Sequence, residues 1–450
     1  MSCGHSETTT SAAAQSTPVD LIAKGAQERL AAPTQTLSAV AELGRKIFFD
    51  QSLSGSSKLS CASCHSPDNA YAPKNNLAVQ IGGSGMQQQG GRAVPSLKYH
   101  EYQPPFSIGP DLKPDEDDLE AARNAATAQA KAKAPVAVQA KATLNRGGAA
   151  AAPVQQNVPQ GGFDWDGRAK NLTDQAGGPL LAANEMAIPN QQVLLQKFKN
   201  TSYAQDFIQL FGPSVFTSPS IVLGEAYFAL AKFQLEDRSF HPYDSKYDYF
   251  LAKKVNLNEQ EQRGLKLFQD AKKGNCASCH LEKPSKDGLI APAFTDYQYE
   301  ALGAPRNTDI AANKNPHYYD LGMCGPLRAD AGKMKNYCGF FKTPSLRNTA
   351  TRQVYFHNGV FKSLDDVMHF YVERETSPEK WYPYKNGRVA KYNDIPIDWH
   401  ANVDITDAPF DRRYGEPAAL SEAEIKDIIA FLKTLTDGYQ SQRTSASNGK

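Results

Sequence analysis

A repeat constrains this chain more than any other feature. The run Glu42-Leu43-Gly44-Arg45-Lys46-Ile47-Phe48-Phe49-Asp50 leads through a short loop to Cys61-Ala62-Ser63-Cys64-His65. Far downstream, Gln262-Arg263-Gly264-Leu265-Lys266-Leu267-Phe268-Gln269-Asp270 leads to Cys276-Ala277-Ser278-Cys279-His280. An amphipathic stretch, a loop and a five-residue motif recur in one order, the mark of an internal duplication. In the first copy Leu37, Val40, Leu43, Ile47 and Phe48 share one helical face.

C-x-x-C-H suits covalent attachment of haem. Two thiols three positions apart reach the two vinyl groups of one porphyrin, and the following imidazole meets the iron. Two copies, each preceded by the same helix and each ending in His, argue against half of a zinc site. Thioredoxin-like chemistry wants a βαβ context, which the sequence lacks. Cys61, Cys64, Cys276 and Cys279 are therefore expected to hold two haem c groups, with His65 and His280 as proximal ligands. Attachment of this kind occurs outside the cytoplasm, so an oxidising compartment is expected. There Cys324 and Cys338 can pair across a short Gly/Pro-containing loop; two buried free thiols are the alternative. Cys3-Gly4, followed by Ser, Thr and Ala, fits either a lipid anchor at the start of a mature lipoprotein or an unattached thiol.

The 450 residues suggest more than one domain. Residues 1–36 read as a flexible tether, 37–250 as an N-terminal haem domain, 251–440 as a C-terminal haem domain and 441–450 as a tail. Residues 121–152 are about half alanine and sit in an insertion spanning about 115–160. Amphipathic helices are expected near 191–211 and 219–236. Ser421 and Glu424 form an S-x-x-E capping box before Ile425, Ile428, Ile429, Leu432 and Leu435. Strand patterns are sparse, so the expected fold is mainly α: two duplicated cytochrome c-like domains. A net charge of +1 gives no global field for nucleic acid, and no apolar run is long enough to span a membrane.

Two further blocks make the resemblance specific. Trp165-Asp166-Gly167-Arg168, Gln175 and Asn184-Glu185-Met186 form one. Phe341-Lys342-Thr343-Pro344-Ser345-Leu346-Arg347-Asn348 and Tyr355-Phe356-His357-Asn358-Gly359 form the other. Both resemble the bacterial dihaem cytochrome c peroxidase/MauG family over residues 37–110 and 160–437. The resemblance implies a periplasmic enzyme whose N-terminal haem reduces hydrogen peroxide and whose C-terminal haem transfers electrons. It places Glu185 as the distal acid–base group, Gln175 in the same pocket, and Trp165 as an electron relay between the haems. A helix-capping carboxylate and a packed core tryptophan are the plainer readings of Glu185 and Trp165. The implied partner is a small electron donor, a cytochrome c or cupredoxin, or else a protein substrate.

Several departures bear on subtype. Relatives that need reductive activation carry a histidine after the first haem motif, whereas Gln80-Ile81-Gly82-Gly83-Ser84-Gly85-Met86 has none. The N-terminal iron is therefore expected to be open; His100 lies outside the matching loop. Tyr371 falls where many peroxidases have methionine and MauG has tyrosine, with Met368 and His369 as rival ligands. A phenolate lowers the potential relative to a thioether, which favours storing an oxidising equivalent. The family's calcium site, an asparagine side chain with nearby carbonyls, reads here Arg92-Ala93-Val94-Pro95 and Arg352-Gln353-Val354. One calcium ion is allowed through carbonyls alone, with no side-chain ligand to name. His357 is expected near the second haem as a hydrogen-bonding group. Trp381, Tyr382, Tyr384, Tyr392 and Trp399 suit either packing beside that haem or a partner-facing patch. A MauG-like enzyme that oxidises a partner side chain, and a non-catalytic dihaem electron carrier, are the competing functions.

Overall fold

A computed structural model describes residues 17–110 and 157–440. The Ala-rich insertion, Cys3, His5 and the tail fall outside or largely outside these residues. The described fold is mainly helical, with only four two-stranded antiparallel ladders.

Part of the stretch read as a tether is a helix. α1 (Pro18–Ala31) packs through Ala23, Gly25 and Ala26 on the C-terminal half. A Cβ on Gly25 would lie 2.0 Å from the Gly288 carbonyl oxygen, so this contact requires glycine. Arg29 and Gln27 add bonds to the Gly288 and Ala252 carbonyls. Helices with small buried residues show little apolar periodicity, so this one is not legible from the residue pattern.

The duplicated segments form equivalent elements. α2 (Ala39–Phe49) leads to the single turn α3 (Cys61–Cys64). β1 (Ile81–Gly82) and β2 (Gln88–Gln89) make a hairpin, and β3 (Ser107–Pro110) pairs with β4 (Asn157–Gln160). The second ladder clips together the two ends of the insertion. α4 (Leu172–Leu181), α5 (Gln191–Lys199), α6 (Ala204–Phe211) and α7 (Pro219–Glu236) complete the first half. The pattern near 191–211 is thus two helices, broken at Asn200–Tyr203. α8 (Lys246–Leu251) and α9 (Glu259–Gln269) open the second half, where Cys276–Ser278 forms a 3-10 turn. β5 (Tyr299–Glu300) pairs with β6 (Phe341–Lys342), and α10 (Leu364–Glu373) follows. β7 (Tyr384–Lys385) pairs with β8 (Arg388–Val389) before α11 (Glu422–Lys433), whose Ser421–Glu424 capping box is formed.

Each haem-motif helix crosses a long partner helix at a glycine. A Cβ on Gly44 would lie 1.9 Å from the Ala229 carbonyl oxygen of α7, and one on Gly264 2.0 Å from the Asp427 carbonyl oxygen of α11. Around the first crossing Leu43, Ile47, Phe48, Phe198, Phe207 and Phe233 form one core. Around the second, Phe268, Phe294, Ile425, Ile428, Phe431 and Leu432 form another. Each fully buried side chain of this size contributes roughly 1.5–3 kcal/mol. A third, aromatic cluster contains Tyr355, Phe361, Phe370, Tyr382 and Tyr392, with Trp381 and Trp399 against it. Tyr384 alone of that aromatic run points fully outward, at 67% exposure. Cys324 and Cys338 are joined by a disulfide, S–S 2.02 Å.

Candidate functional site

The two histidines of the repeat are held in the same way. His65 Nδ1 lies 3.1 Å from the Tyr71 carbonyl oxygen, and His280 Nδ1 3.0 Å from that of Phe294. A carbonyl only accepts, so Nδ1 carries the proton and Nε2 keeps its lone pair, the arrangement an iron ligand requires. Burial pushes both imidazoles down to about 4, which keeps them neutral at physiological pH.

A tripeptide that sequence reasoning passed over builds this geometry twice. Pro95-Ser96-Leu97 and Pro344-Ser345-Leu346 occupy matching places. Ser96 Oγ donates to the Ala70 carbonyl (2.5 Å) and Ser345 Oγ to the Ala293 carbonyl (2.6 Å). The Leu97 and Leu346 amides donate to the very carbonyls that bind the histidines, each at 3.3 Å. The signal was present as a second repeat, Pro-Ser-Leu, at a fixed place in each half.

The surroundings fit haem. All four motif cysteines are partly accessible and in no disulfide. In the C-terminal half, Cys276, Cys279 and His280 line a large, mainly apolar cavity together with Trp165, Met368 and Tyr371. His357 is stacked on Phe341 with ring centroids 3.5 Å apart at the cavity wall, and its buried Nε2 finds no hydrogen-bond partner among the described residues. Glu300, also on the wall, is pushed up to about 7 by burial and by Asp404. Tyr371 is packed against Phe356 and Phe410, at 6.1 and 5.3 Å. Its hydroxyl is pushed upward by burial and then by the nearby Cys279 and Cys276. Met368 shares that helical face. His369 instead meets Asp365, Glu373 and Glu422, with N···O distances of 3.5–3.7 Å.

Around the first motif, Glu185 is close enough for its charge to raise both the Cys61 and Cys64 thiols. The Glu185 side chain is solvent-exposed, yet the protein packed around it raises its pKa; Asp164 adds to the shift and Arg168 opposes it. The β1–β2 hairpin lies over its backbone: Gly83 N–H donates to the Glu185 carbonyl (2.9 Å), and a Cβ on Gly82 would lie 2.5 Å from the Asn184 oxygen. Gln175 sits on α4, partly buried. His100 is tied to Gln103 (2.8 Å) and edge-on to Phe163 (5.4 Å). Trp165 donates Nε1–H to the Ala93 carbonyl (2.7 Å) and takes the Lys342 amide on its own carbonyl (2.8 Å), so it bridges the halves.

Calcium fits less well. Ala93 stands where the family's asparagine would bring a side-chain oxygen, Gln353 donates its Nε2–H to the Lys74 carbonyl (2.9 Å), and the carbonyls of Val94 and Val354 already accept from Arg352, at 3.0 and 3.3 Å.

Comparison with known proteins agrees with the two-haem reading. The sequence model of the family described as di-haem cytochrome c peroxidase matches residues 38–256. The methylamine utilization protein MauG of Paracoccus denitrificans is 29% identical over 415 residues, covering 89% of each chain. The cytochrome c551 peroxidase of Nitrosomonas europaea is 26% identical over 412 residues, covering 90% of this chain and 84% of its own. The crystal structure of the diheme peroxidase BthA from Burkholderia thailandensis superposes with a TM-score of 0.73 at 32% identity, over 91% of this chain and 89% of that one. A likeness that spans both halves and nearly the whole length of an enzyme of this kind settles the family: this chain belongs to the di-haem cytochrome c peroxidases.

Proposed function

We propose that the protein reduces hydrogen peroxide at its N-terminal haem site and shares the oxidising equivalents with its C-terminal site. When bound through Cys61, Cys64 and His65, and through Cys276, Cys279 and His280, haem supplies irons that exchange single electrons. The chain's own residues do the rest. Glu185 takes the proton from the near peroxide oxygen and returns it to the far one, so that O–O cleavage yields water as a neutral leaving group. Overall, one peroxide, two protons and two electrons give two waters. Gln175 orients the peroxide in the same pocket. Trp165, hydrogen-bonded to the N-terminal half and lining the C-terminal cavity, relays electrons between the sites. Tyr371, on the wall of the C-terminal cavity, would hold that haem's iron together with His280.

The observation that carries this reading is Glu185 beside the first haem motif, under a hairpin that holds no histidine. We take residues 37–250 and 251–440 as the two haem domains, although Tyr247 and Phe250 already pack in the second core. A periplasmic location suits the covalent haem motifs and the Cys324–Cys338 disulfide, and lipidation of Cys3 would tether the enzyme there. The electron source is a small cytochrome c or cupredoxin. A MauG-like oxidation of a partner protein's side chain is the second reading, favoured by Tyr371 on the cavity wall.

Mixing the diferric holoprotein with peroxide, without prior reduction, tests the proposal. The Soret band should change within the mixing time course, and Glu185→Gln should slow that change by about 10²–10⁴-fold. An unreactive diferric protein, or a Glu185→Gln variant as fast as the parent, would refute it.

A further inference from the structure

The halves meet where residues 91–95 lie along residues 352–357. Ala93 N–H donates to the His357 carbonyl (2.7 Å), and Arg92 pairs with Asp320 (2.6 and 2.7 Å) and Asp166 (2.8 Å). Two more arginines buried near this junction follow the same rule. Arg347 pairs with Asp248 and Arg328 with Asp330. Arg352 does not. It donates Nη2–H to the Val94 carbonyl across the junction and Nε–H to the Val354 carbonyl on its own side. Among the described residues no carboxylate is within ion-pair distance of it.

Arg352 is half-buried, and drawing a charge even partly out of water without a counter-charge is costly unless dipoles solvate it. Here the solvating groups are backbone carbonyl oxygens, one from each half, the same donor class that holds a hard divalent cation. They belong to the two stretches where the family resemblance expects a calcium ion. Ala93 offers no side-chain oxygen, and a guanidinium already holds both carbonyls.

We infer that Arg352 is the resident cation of this junction: it occupies carbonyls a calcium ion would use and joins the halves without metal.

The test uses the holoprotein. Metal analysis after gel filtration, with thermal unfolding in the presence and absence of excess EGTA, should show substoichiometric calcium and no shift in Tm. Stoichiometric calcium, or a Tm lowered by EGTA, would overturn the inference.

Discussion

In the proposed reaction Glu185 must be ionised to accept a proton, and crowding with Asp164 nearby holds this carboxyl above the ordinary 4.5. Peroxide reactivity should therefore fall on the acid side through a pKa above that value, and Glu185→Gln should remove this limb from the pH profile. A profile unchanged by the substitution would put the proton elsewhere. Tyr371→Met should replace a hard anionic donor by a soft neutral one and raise the C-terminal haem potential. Spectroelectrochemistry of the two proteins checks this; an unaltered low-spin spectrum and potential would remove Tyr371 as ligand. The chemistry-bearing residues were readable because covalent haem attachment fixes their spacing. The Tyr71 and Phe294 carbonyls that orient His65 and His280 were not, since any residue has a carbonyl. Only their placement by the recurring Pro-Ser-Leu betrays them.

Helix contacts depend on glycines of two kinds. Gly44 and Gly264 face a backbone carbonyl at a helix crossing, whereas Gly224, inside α7, has nothing within 4 Å of where its Cβ would be. Gly44→Ala should thus cost about 1–3 kcal/mol by overpacking. Gly224→Ala should stabilise by about 0.5–1 kcal/mol through helix propensity. Denaturant unfolding of the two variants gives opposite signs if the crossing is as described. Periodicity marked α2, α7 and α11 because each buries large apolar residues at helical spacing. It left α1 unmarked because Ala23, Gly25 and Ala26 make its contact, and it merged α5 with α6 because the apolar pattern runs on through the break at Asn200–Tyr203.

Across the whole molecule, the two repeats are fastened to a shared C-terminal segment. Asp437 takes Lys98 (2.5 Å) and Tyr99 from one half and Asn348 (2.7 Å) from the other. Beside it, Arg347 and Asp248 form a buried two-bonded pair at 2.9 and 3.0 Å. Burial alone would raise the Asp248 pKa, but Arg347 outweighs it and the carboxyl ends up lowered. The pair therefore stabilises the fold above the ordinary aspartate range and is lost as pH falls through the depressed value. Asp248→Asn should cost about 3–5 kcal/mol at neutral pH, read from the unfolding midpoint. Long-range pairs like these leave no local signature, so the duplication was visible in the sequence but its fastening was not.

The account stands or falls on an accessible iron in the N-terminal half. Electron paramagnetic resonance of the as-isolated diferric protein measures this directly. One high-spin and one low-spin haem signal, with the high-spin signal altered by small anionic ligands, is the expected result. Two low-spin, six-coordinate haems that ignore such ligands would contradict it.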